Sequence, residues 1–322
     1  MARFIIRRIL VMIPLLIGIS FLTFAITNLG PGTPLQEFEG NPRISPEDIA
    51  RIRRNLGLDR PWHERYFVWL SDAIRGDLGY SLINGASVTN LITTVLPNTL
   101  LLTVSSLLFA LVFAIPLGIY AAVKRNTWFD NVVYAVANAI GAIPSFWLGL
   151  LLIILFAVKF REWGLPGFPS GGTHNLRGGG DLLDRLHHLI LPTVTLGIVS
   201  LASWLLYIRS AMLEVIRQDY VRTAYAKGLR DRAVLYGHAF RNALLPLITL
   251  VGLTIPELFA GAVVTESIFA WNGVGRLTVT SATNFDYTVV MGTVMMLATL
   301  TLLSNLLADI LYAVADPRIR YD

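Results

Sequence analysis

Six apolar stretches, each long enough to cross a lipid bilayer, are the feature that most limits how this chain can fold. They occupy residues 9–29, 96–123, 131–158, 189–208, 244–265 and 289–315. A bilayer core of about 30 Å requires about 20 apolar residues in a helix, and backbone groups inside it must bond within the protein. The pattern therefore predicts an all-α integral membrane protein with six transmembrane helices.

The composition excludes several other classes of protein. Hydrophobic residues make up 54% of the chain and charged residues 15%, against about 25% charged residues in an ordinary soluble domain. The net charge of +5 comes from basic residues at the ends of apolar stretches, which argues against a nucleic-acid partner. Because the chain contains no cysteine, disulfides, thiolate metal sites and cysteine nucleophiles are excluded.

A basic interval at residues 209–246 sets the orientation of the predicted helices. It contains seven basic residues and three acids: Arg209, Arg217, Arg222, Lys227, Arg230, Arg232 and Arg241, with Glu214, Asp219 and Asp231. Loops rich in Lys and Arg stay on the cytoplasmic side, so six crossings place both termini in the cytoplasm. The chain then divides into a first helix at 1–29, a long external loop region at 30–95 and a five-helix core at 96–322.

The external region at 30–95 contains two helix patterns. Ser45 and Pro46, followed by two acids, are typical of the start of a helix that ends near Gly57. Residues 61–74 carry four aromatic side chains on a half-apolar helix, which suits the membrane–water interface. A small packed external subdomain fits the same residues.

Within the basic interval, apolar residues recur at helical spacing and then stop at a glycine. The recurring positions are Met212, Val215, Ile216, Tyr220 and Ala224. They predict one face of a helix, and Gly228 can end that helix in a left-handed conformation. A second short helix, capped by Asp231, is expected before Leu245 and Pro246 return the chain to the bilayer.

This interval resembles a cytoplasmic motif of ABC-transporter permeases, E-A-A-x-x-x-G-x9-I-x-L-P. Residues 222–228, which read RTAYAKG, resemble the variant found in peptide permeases, although Arg222 stands at the glutamate position and the spacing to Leu245 is five residues longer. The resemblance implies contact with an ATPase through Arg222, Thr223, Ala224, Lys227, Gly228, Arg230, Leu245 and Pro246. Taken alone, the residues also fit an ordinary basic cytosolic loop.

Two external stretches narrow the resemblance. Residues 56–61 (LGLDRP) and 76–81 (GDLGYS) are similar to the first external loop of dipeptide, oligopeptide and nickel permeases. The resemblance implies a type I ABC importer fold and import of peptides, with nickel or another small solute as the alternative. It also implies four kinds of partner: a second homologous permease subunit, two cytoplasmic ATPase subunits, an external substrate-binding protein and the lipid bilayer.

No catalytic residue is predicted in this chain. It lacks the phosphate-binding motif G-x-x-x-x-G-K-[ST], so we expect ATP and Mg to bind only to the partner ATPases and this chain to hold no cofactor. It also lacks H-E-x-x-H and G-x-S-x-G, which argues against an intramembrane enzyme. A metal site at Asp184, His187 and His188 is conceivable, but interfacial residues are the simpler explanation.

Broken backbone and charged side chains cost free energy inside a bilayer, so such groups within the apolar stretches are candidates to line a translocation path. Residues 141–147 interrupt the third apolar stretch, and broken backbone is tolerated there only against protein or a water-filled cavity. A carboxylate in an apolar run is a functional candidate. Together with residues 261–276, which resemble the external mouth of the family's pathway, these features predict a path lined by Pro144, Ser145, Phe146, Trp147, Glu257, Glu266 and Trp271.

Each of these features has a simpler alternative. The interruption at 141–147 also fits a packing kink, and an early end of the fifth helix at Pro256 would leave Glu257 among the lipid headgroups. A different class of transporter, an ion-coupled carrier, requires buried coupling groups. Glu257 and Asp309 are the candidates for that role.

Overall fold

A computed structural model describes residues 2–29, 35, 45–55, 58–175, 180–231 and 233–315. Its helices are α1 (Ala2–Leu29), α2 (Pro46–Asn55), α3 (Trp62–Ile74), α4 (Val88–Val123), α5 (Trp128–Gly141), α6 (Ser145–Leu152), α7 (Leu182–Val215), α8 (Asp219–Ala226), α9 (Arg241–Ile268), α10 (Val274–Thr283) and α11 (Tyr287–Ala315). A π-helical turn at Ile153–Lys159 and a short helix at Phe160–Glu162 extend α6, and another π-helical stretch at Ala233–Phe240 leads into α9. The predicted all-α class is confirmed.

The apolar helices account for most of the predicted spans. Four are long and apolar enough to cross a membrane: Phe4–Asn28, Val88–Val123, Leu182–Val215 and Tyr287–Ile310. The pair Trp128–Gly141 and Ser145–Glu162, bent by 106°, forms a fifth if it is one span. Many side chains of α9 lie outside the described residues, so a sixth span at this helix stays a prediction.

Packing divides the chain into two compact units. Unit 1 comprises Met1–Ile5, Leu100–Trp271 and Thr301–Asp322, and unit 2 comprises Ile6–Thr99 and Asn272–Leu300. Boundaries fall inside α1, α4 and α11, so each of these helices contributes to both units. The division at 1–29, 30–95 and 96–322 concerns position relative to the bilayer and stays a prediction.

Unit 1 is built on a close approach of α4 and α7. A Cβ atom on Gly197 of α7 would lie 2.8 Å from the carbonyl oxygen of Ser106, and one on Gly118 of α4 would lie 2.9 Å from Ile208. Small residues at such positions let membrane helices pack backbone to backbone. Around this contact a core cluster buries side chains that include Ala110, Ala114, Trp204, Ile208 and Met212.

In unit 2, α3 packs against α1. The Tyr66 side chain is buried, and its hydroxyl lies 2.9 Å from the Ser20 hydroxyl and 3.3 Å from the Ile17 carbonyl. Phe24 and Met291 join the same cluster. These contacts place α3 against a membrane-length helix. Its position at the membrane–water interface stays a prediction.

The short helix α2 begins as its sequence predicts. The Asp48 backbone N–H donates to the Ser45 hydroxyl at 3.1 Å, and that hydroxyl donates to the Asp48 carboxylate at 2.8 Å. The Ser45 hydroxyl and the nearby Arg51 guanidinium hold the pKa of the Asp48 carboxyl below its usual value. This N-cap confirms the predicted start at Pro46, and the helix ends at Asn55.

A buried carboxylate joins two segments of unit 2 that are distant in sequence. The Ser81 hydroxyl donates to Asp286 Oδ2 at 2.5 Å, and the Leu82 backbone N–H donates to Oδ1 at 3.1 Å. Ser81 and Asp286 are both buried. Elsewhere in unit 2, the Thr99 hydroxyl accepts a hydrogen bond of 2.8 Å from the Val274 backbone N–H.

Candidate functional site

The turn at Gly228 has the geometry predicted for it. Helix α8 ends at Ala226, and Gly228 has a φ of +76°. The Gly228 N–H donates to the Tyr225 carbonyl at 2.9 Å and the Leu229 N–H donates to the Ala224 carbonyl at 3.4 Å, which is the Schellman arrangement. A Cβ atom at Gly228 would meet nothing within 4 Å, so the turn is open to the outside of this subunit.

Helix α8 is anchored to unit 1 by its apolar side. Val221 and Ala224 are buried in the core cluster that contains Met212 and Trp204. The Thr223 hydroxyl donates to the Asp219 carbonyl within the helix. Any force on α8 therefore reaches the core around α4 and α7 through direct packing.

The charged residues of this segment face outward. Arg222, Lys227 and Arg230 are all exposed, and the Arg222 guanidinium lies 3.9 Å from the Asp219 carboxylate with both side chains in solvent. Such an exposed pair contributes little to stability. The cationic groups are therefore available to an acidic surface of another subunit.

The segment that follows differs from the sequence prediction. Instead of a separate short helix, a π-helical stretch at Ala233–Phe240 continues directly into α9. Leu245 and Pro246 lie inside α9, and their side chains lie outside the described residues. Neighbouring groups in membrane proteins can form the hydrogen bonds that a proline inside a helix leaves unmade. Pro246 therefore does not mark a helix end. Val234 packs into the same core cluster as Val221.

A buried ion pair lies in unit 1, and the sequence analysis missed it. The Asp130 carboxylate accepts from the Arg209 guanidinium at 2.5 and 2.7 Å, and also from the Asn126 backbone N–H at 2.9 Å. Side-chain exposure is 2% for Asp130 and 20% for Arg209. The guanidinium also lies over the Tyr134 ring at 5.7 Å. The sequence signal for this pair was an acidic residue, Asp130, that lies directly before the apolar stretch at 131–158 and shortly after Lys124 and Arg125.

The interruption at residues 141–147 is a sharp bend. The axes of α5 and of the helical segment Ser145–Glu162 meet at 106°, so the helix is broken at the predicted interruption. Pro144 caps α6 in an extended conformation, with a ψ of 134°. Phe146 is 50% exposed and Trp147 is 47% exposed, so two large aromatic side chains stand uncovered beside the break.

The predicted acidic residues of α9 lie in different environments. Helix α9 continues past Pro256 to Ile268, so the helix itself does not end at Pro256. The depth of Glu257 in the bilayer stays a prediction. Glu257 is exposed, whereas Glu266 has 0% exposure. Trp271 is also fully buried, and its backbone N–H donates to the Glu266 carbonyl at 2.8 Å.

The start of α6 and the end of α9 are brought together. A Cβ atom on Gly149 would lie 3.3 Å from the Phe269 ring, so α6 packs closely against the residues after α9. Phe269 is buried, next to Glu266 and Trp271 in sequence. Two of the predicted path residues, Phe146 and Trp147, therefore lie on α6, and α6 contacts the segment that carries Glu266 and Trp271.

Part of the glycine-rich loop after α6 is anchored on this segment. The Gly172 N–H donates to the Phe269 carbonyl at 2.8 Å, and a Cβ atom on Gly171 would lie 2.5 Å from the same oxygen. At Gly171 the absence of a side chain permits this close backbone contact. Asp184 ties the loop to α7 by accepting from the Asn175 N–H at 2.7 Å. Within the described ranges, no group of three candidate metal ligands occurs.

Comparison with known families accounts for nearly the whole chain. A family described as the N-terminal part of binding-protein-dependent transport system membrane components matches residues 1–103. A second, described as binding-protein-dependent transport system inner membrane component, matches residues 114–321. The chain belongs to this permease family. The predicted membership among ABC-transporter permeases is therefore confirmed.

Relatives of full length support the assignment. The chain is 43% identical over 322 residues to the oligopeptide transport system permease protein AppB of Bacillus subtilis (strain 168), with 100% of both chains covered. It is 41% identical to the di/tripeptide permease DppB of Pseudomonas aeruginosa (strain UCBPP-PA14) and 39% identical to the dipeptide permease DppB of Escherichia coli (strain K12). These last two alignments cover 100% of this permease and 99% of each relative.

A solved structure supports the fold of this permease. The permease resembles a chain of the MetNI methionine ABC transporter in inward facing conformations, with a TM-score of 0.55 and 18% identity. The match covers 70% of this permease and 96% of that chain. At this level of identity the likeness shows the fold, and it supports the type I importer arrangement.

Proposed function

We propose that this permease is one transmembrane subunit of an ATP-driven importer that moves dipeptides or oligopeptides delivered by an external substrate-binding protein. Three relatives named as peptide permeases align over nearly their whole length. The complete importer contains a second, homologous permease subunit and two cytoplasmic ATPase subunits. ATP and Mg bind to those ATPases, and this permease binds no cofactor.

The observation that carries this proposal is the Gly228 turn. It is open on its outer side, while Val221 and Ala224 fix α8 to the core of unit 1. A movement of the ATPases can reach the membrane helices only through such a packed, rigid element. The proposed coupling residues are Arg222, Thr223, Ala224, Lys227, Gly228, Arg230, Leu245 and Pro246.

The proposed translocation path uses the break between α5 and α6 together with α9. Pro144, Phe146, Trp147 and Glu257 are exposed in this subunit, so they are free to contact a peptide. Ser145 is half-buried at the start of α6. Because Glu266 and Trp271 are buried behind this surface, we assign them the role of holding its shape.

The proposed arrangement in the inner membrane has six crossings and cytoplasmic termini. Five spans follow from the apolar helices when the bent pair counts as one, and α9 supplies the sixth. Residues 30–95 are then external, and the core at 96–322 contains the coupling residues. This orientation rests on the basic interval at 209–246.

Uptake by the reconstituted importer tests the function. Proteoliposomes containing both permeases and the ATPases receive ATP inside and loaded binding protein outside, and labelled dipeptide, labelled oligopeptide and nickel are compared. ATP-dependent uptake of either peptide is the expected result. Uptake of nickel alone would show that nickel, and not a peptide, is the substrate. Uptake driven by an ion gradient without ATPases would show a secondary carrier.

Single cysteines test the orientation of the membrane helices. Ser170→Cys is expected to react with a membrane-impermeant thiol reagent in intact cells, because the loop at 164–175 is external and Ser170 is exposed. Lys227→Cys is exposed on the opposite side and is expected to react only after the cells are opened. The native chain has no cysteine and provides the blank. The reverse pattern would invert the topology and remove the coupling argument.

Substitutions on the exposed surface test the translocation path. Glu257→Gln is expected to lower peptide uptake roughly tenfold, the effect of losing about 1.5 kcal/mol from one charge-assisted hydrogen bond. Trp147→Ala is expected to change the preference among peptides with different side chains. Trp128→Ala is the control, because Trp128 is an exposed aromatic residue at the other end of α5. Unchanged uptake and preference in both variants would return Glu257 and Trp147 to structural roles.

A further inference from the structure

Helix α5 is held in unit 1 along a narrow stripe of side chains. Its buried residues are Asp130 and Ala137, and Val133 and Ile140 are half-buried. The spacing of these four places them on one side of the helix, and Val133 packs against the core cluster around α4 and α7. Most other side chains of α5 are exposed. Because apolar contacts are non-directional, a stripe this narrow fixes the tilt of α5 only weakly.

The ion pair between Asp130 and Arg209 fixes the direction of α5. The guanidinium Nε donates to one carboxylate oxygen at 2.5 Å and Nη2 donates to the other at 2.7 Å. A bidentate pair of this kind sets the relative orientation of two side chains as well as adding energy. The Tyr134 ring, one turn further along α5, lies 5.7 Å from the same guanidinium. The first two turns of α5 are therefore oriented by one residue of α7.

Stability alone does not account for a buried ion pair at this position. Replacing such a pair by apolar residues of similar volume is often neutral or stabilising. An apolar pair would keep the burial but would lose the two directed hydrogen bonds. What the carboxylate and the guanidinium add is a defined orientation of α5 against α7.

This orientation links the coupling segment to the proposed path. Arg209 lies one turn before Met212, and Met212 shares the core cluster with Val221 of α8. At its other end α5 finishes at Gly141, where the break that begins the proposed path follows. Residues 130–141 span about 16 Å of helix, so a tilt of about 10° at Asp130 displaces the far end by about 3 Å.

We propose that Asp130 and Arg209 are a positioning pair for transport, which makes α5 move together with α7 and α8. This inference rests on the proposed function, because it assumes that α8 follows the ATPases and that the break at 141–147 lines the path. With the pair intact, a movement of α8 reaches the break at full amplitude. Without it, α5 stays packed but tilts independently, and ATP is hydrolysed with less peptide moved. Both residues act through α5, and neither is assigned a contact with the peptide.

Distances between spin labels test the positioning directly. Val136 on α5 and Tyr220 on α8 are exposed, so Val136→Cys and Tyr220→Cys carry the labels in this cysteine-free chain. In the complete importer, with reactive cysteines removed from the other subunits, one narrow distance is expected in both the nucleotide-free and the ATP-trapped state. Adding Asp130→Asn and Arg209→Met is expected to broaden or shift it by about 3 Å. Ser203→Cys on α7, paired with Tyr220→Cys, is the control and is expected to give the same distance with and without the ion pair.

The amount of peptide imported per ATP hydrolysed is the functional readout. The double variant Asp130→Asn with Arg209→Met is expected to stay folded and to keep ATP hydrolysis stimulated by loaded binding protein. Its peptide import per ATP is expected to fall about twofold to thirtyfold, the range for changes at coupled positions. Arg209→Lys keeps the charge but cannot form the bidentate fork, and an intermediate ratio is expected. Glu162→Gln, which breaks the exposed pair with Lys159, is the matched control and is expected to leave the ratio unchanged.

Two results would overturn the positioning role. One is a wild-type ratio of peptide to ATP in the double variant, and the other is an equally narrow distance between α5 and α8 with and without the pair. Either result, in vesicles where the wild type imports peptide, rejects the pair and leaves the proposed function standing. The expected distances in vesicles that import no peptide would instead reject the proposed substrate and support the positioning role.

Discussion

Gly228→Val is expected to leave the permease inserted and folded but to make ATP hydrolysis by the assembled importer insensitive to loaded binding protein. At a φ of +76° a β-branched residue is strained, with a cost of about 1–3 kcal/mol. The turn can relieve that strain by shifting α8 and the exposed cations beside it. Because Cβ meets nothing within this subunit, the effect on the isolated permease is small. ATPase activity with and without loaded binding protein is the measurement.

Two variants control for this substitution. Gly237→Val makes the same change in the π-helical stretch at Ala233–Phe240, where φ is not positive and a Cβ atom meets nothing within 4 Å. It is expected to retain full stimulation. Gly228→Asn is expected to retain much of it, because Asn tolerates the left-handed conformation. Normal association and full stimulation in Gly228→Val would show that the turn is not the coupling element.

Asp130→Asn is expected to have the largest effect on stability, about 3 kcal/mol. Removing one partner of a buried ion pair costs about 3–5 kcal/mol, and the lower end applies because Arg209 keeps some solvent exposure. The loss follows from leaving the guanidinium without its carboxylate in a mostly apolar setting. The midpoint of thermal unfolding in detergent and the amount of permease in the membrane are the measurements.

The double variant Asp130→Asn with Arg209→Met distinguishes an unpaired charge from lost packing. It is expected to recover much of the stability, because replacing both members of a buried pair is often neutral. Glu162→Gln, which breaks the exposed pair of Glu162 with Lys159, is expected to change nothing measurable. If Asp130→Asn unfolded at the same temperature as wild type, the pair would have no structural role.

The parts of the fold that were predictable depend on properties local in sequence. Apolar length identified the four membrane-length helices and the bent pair, because a bilayer imposes the same requirement on each helix separately. The α8 helix and the left-handed Gly228 followed from spacing and from one residue type. The break at 141–147 was also visible, since Gly141 and Pro144 both disrupt a helix within a few residues.

The features that were missed depend on contacts between distant segments. Asp130 and Arg209 are 79 residues apart, and nothing in either neighbourhood names the other. Burial of Glu266 likewise depends on which helices surround it, whereas the exposed Glu257 lies nine positions earlier on the same helix. The approach of the Phe269 carbonyl to Gly171 is likewise not visible in the sequence, because the two residues lie 98 positions apart.

The candidate site was predictable to a similar degree. Motif resemblance supplied the proposed coupling residues, and the structure added which side of α8 is anchored. For the path, sequence identified unusual residues but not their exposure. Trp271 shows the difference, because an aromatic residue near a pathway and one buried beneath it have the same sequence signature.

The hydrogen bond between Ser81 and Asp286 has a consequence for biogenesis. Its two residues are 205 positions apart, and at about 5–20 residues per second a ribosome needs on the order of 10–40 s to make the interval. During that time the segment around Ser81 is without its carboxylate partner. Unit 2 can close only after α11 has been inserted, so the newly made N-terminal third must wait, exposed to chaperones and membrane proteases, for one of the last helices to arrive.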